Sequence, residues 1–443
     1  MIEVVDYIIP AVITLGAIMI LGFLGNFIFN RTQIPSIVWL LLFGLVVGVV
    51  FNIQNINETI LMAASQFFGA VAIVIILFDS GINTDLYQLF RGAPRGLLLS
   101  VSAFTLSILA TMAIVVMLSA TIMPSIPLEY SIIIGIILGA MVGGTSSPIV
   151  IPLASRLQNL QEKTKMALSI ESIITDPLCI VIVLAAYFMV IGPDSSGIDI
   201  GLGAKNVIST FSVGAVMGFL LGLLWLPVMN KIRKEQFSYV ATLAVAFLVY
   251  SITALILTIE GGGEGAGAIA CLVFGLVLGN GRKILKMLDY GSKKFELDEE
   301  SRHSHALISF IIRTFFFVFL GMMVSFQRLE FIFIGIGVLV LLITMRYTAI
   351  QLATHHGGFE RDDKQTMIVM LPRGLAAAIL ALNFGPSIVA DLMPGMHGFF
   401  ADIVFVIILG TAIICTIGVS IICHYEKKKL AGSEKPQQDD ETC

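Results

Sequence analysis

Two carboxylates, Glu171 and Asp176, lie five residues apart in the stretch ESIITDPLCIVIVL (171–184), which is otherwise largely apolar. A charge at the centre of a bilayer costs at least about 2.5–3.5 kcal/mol on insertion scales, so a membrane helix keeps one only for a purpose. Ser172 precedes Asp176 by four residues, which puts the hydroxyl and the carboxylate on one helix face. Pro177 lacks an N–H, so the carbonyl of Ile173 loses its usual helical partner. Three oxygens then converge on one short patch, the chemistry that a small hard cation requires. Dehydration disfavours the bare charge, so the same carboxylate suits a proton or a cation.

Other ionisable groups lie inside apolar stretches. Glu171 points roughly 140° away from Asp176 around a helix and needs its own partner. Arg346, in LLITMRYTAI, is equally costly alone and is expected to form a structural ion pair with it. Asp79 closes an apolar stretch in LFDSG, and Arg313 sits in IIRTFFFVFLG, close enough to one end to snorkel. Arg373 falls in LPRG, where its charge would offset the C-terminal dipole of a half-helix. Glu260 and Glu264 read as features of an outer mouth or loop, and His355 and His356 as a solvated inner loop.

The elements that must hold these residues are membrane helices. The 443-residue chain is 57% hydrophobic and 13% charged, against about 25% charged for soluble domains. Its mean hydropathy is +0.97. The first apolar segment reads as a span rather than a cleaved leader. The five cysteines have no metal or redox spacing. Apolar runs of about 20 residues predict 13 spans, at 9–29, 35–51, 62–80, 96–119, 131–155, 163–192, 207–232, 238–258, 264–281, 303–325, 329–352, 365–384 and 399–424. Of the 26 lysines and arginines, only Lys205 and Arg328 fall on one side, while Arg313, Arg346 and Arg373 fall inside spans. All others lie on the opposite side, which the positive-inside rule makes cytoplasmic. The N-terminus is then outside and the C-terminus cytoplasmic.

The fifth span is interrupted by GGTSSP (143–148) and the twelfth by LPRG (371–374). Paired interruptions in matching positions of two halves mark a transporter site at the bilayer midplane. The expected architecture is an all-α membrane protein with two inverted six-helix repeats, at 9–192 and 238–424, and a linker helix at 207–232. Helices 5 and 12 are discontinuous, and residues 1–424 form one transmembrane domain. The loop from Gly281 to His303 is expected to lie along the membrane surface, and residues 425–443 to be a disordered cytoplasmic tail.

These motifs resemble those of the monovalent cation–proton antiporters, specifically the NhaP-type sodium/proton exchangers of archaea and bacteria that are related to the animal exchangers. ESIITDPLCIV resembles the family's Glu-Ser-x-x-Asn-Asp-Pro signature, and LFDSG its Phe-Glu-x-Gly element. RTQIPSIVWLLLFGLVVG, GAIACLVFGLVLGN, FFFVFLG and LPRGLAAAILAL are similar to its second, ninth, tenth and broken twelfth spans. The resemblance implies that Asp176 binds both ion and proton, with Ser172 a cation ligand and Asp79 in place of a nearby glutamate. Thr175, Ser146 and Ser147 complete the implied ion- and proton-binding set, and Glu171–Arg346 is the family's ion pair. It also implies a homodimer in the cell membrane and a core of spans 4–6 and 11–13 that moves against the rest. Neither a cofactor, an enzymatic activity nor a nucleic-acid partner is implied; the partners are the bilayer, a monovalent cation and the proton.

Two positions depart from the family pattern. Ser147 stands where the fifth span usually carries aspartate, and Thr175 where an asparagine precedes Asp176. A site with fewer charges pulls less strongly on a small, tightly hydrated ion. Sodium is the expected ion, with potassium exchange or a potassium efflux system of the same fold as the alternative. A sodium-coupled organic solute symporter shares the broken-helix repeat but gives no reason for an Asp-Pro in the sixth span. An intramembrane protease would need a Gly-x-Ser-x or His-Glu-x-x-His motif, or facing aspartates with glycine flanks.

Overall fold

A computed structural model describes residues 16–25, 27–28, 34–50, 58–84, 94–122, 126–157, 160–189, 200–232, 235, 237–258, 263–281, 283–284, 299–324, 328–355 and 357–433. Among these residues every regular element is a helix. In chain order they are α1 (Gly16–Gly25), α2 (Ser36–Val50), α3 (Glu58–Ile82), α4 (Pro94–Ile122), α5 (Leu128–Met141), α6 (Ser147–Arg156), α7 (Glu162–Phe188) and α8 (Ile200–Ile232). There follow α9 (Ser238–Thr258), α10 (Gly263–Gly279), α11 (Glu299–Met323), α12 (Leu329–Thr354), α13 (Arg361–Val369), α14 (Leu375–Asn383), α15 (Gly385–Leu392) and α16 (Phe399–Ser433).

Among the described residues, α4, α7, α8, α9, α12 and α16 are long and apolar enough to cross a membrane alone. The pair α14 and α15, bent by 45°, adds a seventh if it counts as one span. Among the described residues the number by length and composition is therefore six or seven, which does not confirm the exact count of thirteen. The other expected spans hold shorter apolar helices of 10–17 residues, several ending at a break or beside residues outside the described set. The chain is a multi-pass membrane protein.

The expected break in the fifth span is present: α5 and α6 are separated at 142–146. α7 runs through Pro177, as the expected sixth span does. Two elements differ from expectation. The twelfth span begins at Arg361, unwinds over 370–374 and continues past 384, because Gly385 and Pro386 start a new helix instead of ending the old one. Finally, α16 extends to Ser433, so the start of the expected tail is helical; the run EKKKLA consists of good helix formers. Residues 434–443, Glu260, His356 and most of the Gly281–His303 loop lie outside the described residues, as does the side chain of Glu264.

Packing divides the helices into two groups. In one, α2 packs extensively on α11, and α3, α8 and α9 pack on α10. Backbones come close at Gly44 and Gly321 between α2 and α11, and at Gly81 and Gly275 between α3 and α10. Small residues at such seams allow the close approach that drives helix association in lipid. In the other group, α4, α5, α6 and α7 pack together, and α4 and α16 flank α12. The interrupted helices all belong to this second group, and α14 is its main contact with α3 of the first.

Candidate functional site

The two interruptions meet. Ser146 N donates to the carbonyl of Pro372 at 2.8 Å, joining the break at 142–146 to the break at 370–374. Unwound backbone at membrane depth is tolerated where it is buried in protein, and Thr145, Ser146 and Arg373 are 1%, 3% and 3% exposed. Gly374 makes the crossing possible, since a Cβ there would overlap the Ser146 side chain.

Four helix ends therefore converge: the C-terminal ends of α5 and α13, and the N-terminal ends of α6 and α14. The former expose unpaired carbonyls with partial negative charge, the latter unpaired N–H groups with partial positive charge. Each carbonyl end is met by an arginine. Arg373 Nη1 donates to Gly143 O at 2.6 Å and Gly144 O at 2.8 Å, just beyond α5. Its backbone N donates to Thr411 Oγ1 of α16 at 3.0 Å. Arg346, from α12, donates through Nε to Met367 O at 3.0 Å and through Nη2 to Met370 O at 2.9 Å, at the end of α13. Its Nη1 also binds Glu171 Oε1 in an ion pair whose two residues are almost wholly buried.

The helix N-termini face the opposite charge. Asp176 is buried in α7, and Ser147, the first residue of α6, donates through Oγ to Asp176 Oδ2 at 3.2 Å. The face of α7 that carries Ser172, Thr175 and Asp176 points into the first break. Thr145 N donates to Thr175 Oγ1 at 3.1 Å, and Thr145 Oγ1 shares a hydrogen bond with Ser172 Oγ, also at 3.1 Å. Ser172 Oγ reaches Leu168 O as well, at 3.0 Å. The Asp176 carboxylate thus accepts the hydroxyl of the first residue of α6, at the positive end of that helix, while Ser172 and Thr175 on the same face bond to Thr145.

Its remaining side is apolar. A cavity of about 10 Å³ is lined by Asp176 and Ile180 of α7, Ile73, Ile76 and Leu77 of α3, and Ala376 and Ile379 of α14. That volume is about the lower limit for one water, so the space suits one small particle beside the carboxylate.

The expected residues separate into three places. Asp176, Ser147, Thr175 and Ser172 share the first break. Ser146 is at the crossing, but its side chain turns to Gly374. Asp79 is half-buried at the end of α3, two residues beyond Leu77; Asn83 Nδ2 donates to its Oδ1, and its electrostatic neighbours are Arg313 of α11 and Tyr239 of α9. Thr145 was not singled out from the sequence, although it supplies more bonds to α7 than either serine beside it. The GGTSSP motif offers three consecutive hydroxyls, and only the path of the unwound chain decides which of them faces α7. Thr411 carries no sequence signal, being one hydroxyl in an apolar span.

The geometry can be set beside known proteins. A family model described as "Sodium/hydrogen exchanger, transmembrane" matches residues 16–424. The chain is 28% identical to Na(+)/H(+) antiporter 1 of Methanocaldococcus jannaschii over 97% of each sequence. It is 24% identical to the K(+)/H(+) antiporter NhaP of Alkalimonas amylolytica over 96% of this chain and 68% of that one. The solved structure of the sodium proton antiporter MjNhaP1 from M. jannaschii at pH 8 superposes with a TM-score of 0.70 at 24% identity, covering 95% and 97% of the two chains. From α1 through the membrane part of α16, the chain belongs to the transmembrane sodium/hydrogen exchanger family.

Proposed function

We propose that this protein exchanges Na⁺ for H⁺ across the cell membrane, with Asp176 as the group that both ions occupy in turn. The observation that carries this reading is one buried carboxylate, set at a helix N-terminus and opening onto a cavity with room for a single small particle. An ion there leaves its water behind and is held by Asp176, whose other side is bonded to Ser147, with Ser172 and Thr175 on the same face of α7. Either occupant neutralises the carboxylate, and the neutral core moves between the two sides; the bare anion, costly to dehydrate, does not. One proton leaves as one Na⁺ binds, so the exchange carries no net charge. The halves at 9–192 and 238–424 act as inverted repeats about residues 207–232, in a homodimer with the N-terminus outside.

Purified protein in liposomes tests this. Sodium-driven proton flux is expected from the parent and not from Asp176→Asn; substantial flux in the variant overturns the assignment of Asp176. An imposed membrane potential leaves the rate unchanged if one proton is traded for one cation. Replacing Na⁺ by K⁺ in the same assay decides the ion, a question that Ser147 raises by adding a hydroxyl where a second carboxylate would strengthen the pull on Na⁺.

A further inference from the structure

Asn383 is the last residue of α14 and the only polar side chain in LAAAILALN. It is 9% exposed and lies over Gly69 of α3: a Cβ built on Gly69 would overlap Nδ2, Cγ and Oδ1 of Asn383. Gly69 is the sole glycine between Gln66 and Leu77. The two helices pass each other antiparallel in a fixed register. Four residues along α3, and four back along α14, Ile73 and Ile379 line the Asp176 cavity; Ile76 and Ala376 line it at the next level. Asn383 thus sits in a notch one turn beyond the cavity wall, at the contact between the two packing groups.

We propose that Asn383 seated on Gly69 is a register pin, a positioning residue that sets where α14 and α3 close the cavity over Asp176. A helical turn is about 5.4 Å. Shifting α14 one turn towards Ile73 would place the amide against a branched side chain instead of bare backbone, so the pin holds one discrete position. Packed interfaces switch between such positions and do not slide continuously. An apolar side chain at 383 would pack without preference for the notch, whereas a short amide filling it fixes the level. The role assigned here rests on the exchange reading above, in which these two groups move relative to each other.

Three variants and two readouts test it. Gly69→Ala fills the notch, Asn383→Ala removes the pin, and the double variant does both. In liposomes, Gly69→Ala is expected to slow exchange at least tenfold, and the double variant to recover to within threefold of the parent. A Gly69→Ala rate within twofold of the parent, or a double variant no faster than Gly69→Ala, overturns the proposal. The second readout needs no transport. Nitroxides at Lys231 and Arg361, both exposed, report the distance between the two groups in lipid nanodiscs, with Cys423 and Cys443 changed to serine. Asn383→Ala is expected to broaden a distance distribution that is narrow in the parent; an unchanged distribution overturns the pin. Broadening in a protein whose parent exchanges no Na⁺ would sustain the pin and sink the exchange reading, so the two fail separately.

Discussion

The two chain breaks solve the same problem with different chemistry. At 142–147 the sequence supplies hydroxyls and no charge: Thr145 and Ser146 in the break, and Ser147 at the start of α6. At 370–374 it supplies Arg373 and glycine, with no side-chain oxygen. Each C-terminal helix end nevertheless receives a guanidinium, from Arg373 for α5 and from Arg346 for α13. The second break thus stabilises the first, and α12 stabilises the second. One interruption is left free to present hydroxyls to Asp176 because the other carries the compensating charge.

The largest effect should come from Arg346→Met, which strands Glu171 and leaves the carbonyls of Met367 and Met370 without their donor. Removing one member of a buried pair costs about 3–5 kcal/mol, seen as a fall in thermal unfolding temperature in detergent. The double change with Glu171→Met should recover most of that loss, because it leaves no buried charge behind. Next comes Arg373→Met, which removes charged hydrogen bonds to Gly143 and Gly144 without stranding a carboxylate; about 1.5–3 kcal/mol is expected in the same measurement. If Arg373→Met proves as damaging as Arg346→Met, the two ends are not capped in the graded way described. Gly374→Ala sharpens the comparison at the crossing itself. Overpacking there should cost about 1–3 kcal/mol, and Ser146→Gly in the same protein should restore the folding temperature. The smallest effect is expected from Ser147→Ala. Losing one hydrogen bond of about 0.5–1.5 kcal/mol should raise the half-saturating Na⁺ concentration about two- to tenfold, with little change in stability.

Much of this arrangement is written in the chain as cost. Glu171, Asp176, Arg346 and Arg373 are visible because each is expensive in an apolar helix, and GGTSSP and LPRG because they cannot continue one. The order and type of the helices follow from apolar runs in the same way. What the chain does not display is direction. Three adjacent hydroxyls look alike until the path of the unwound segment turns Thr145 to α7 and Ser146 to Gly374. Arg373 looks like a residue of its own break, yet its guanidinium crosses to Gly143 and Gly144. Asn383 and Gly69, 314 positions apart by their numbering, become neighbours only through packing. The continuation of the twelfth span into α15 was hidden because Gly-Pro reads as a stop, although proline at the first turn also begins helices.

The bond from Ser146 N to Pro372 O belongs to the main chain. A substitution at 146 that keeps an amide N–H leaves the donor of this bond in place, so the join between the two interruptions depends on the side chain at 374 more than on the one at 146. A change of side chain at 147 therefore leaves the backbone frame beside Asp176 in place.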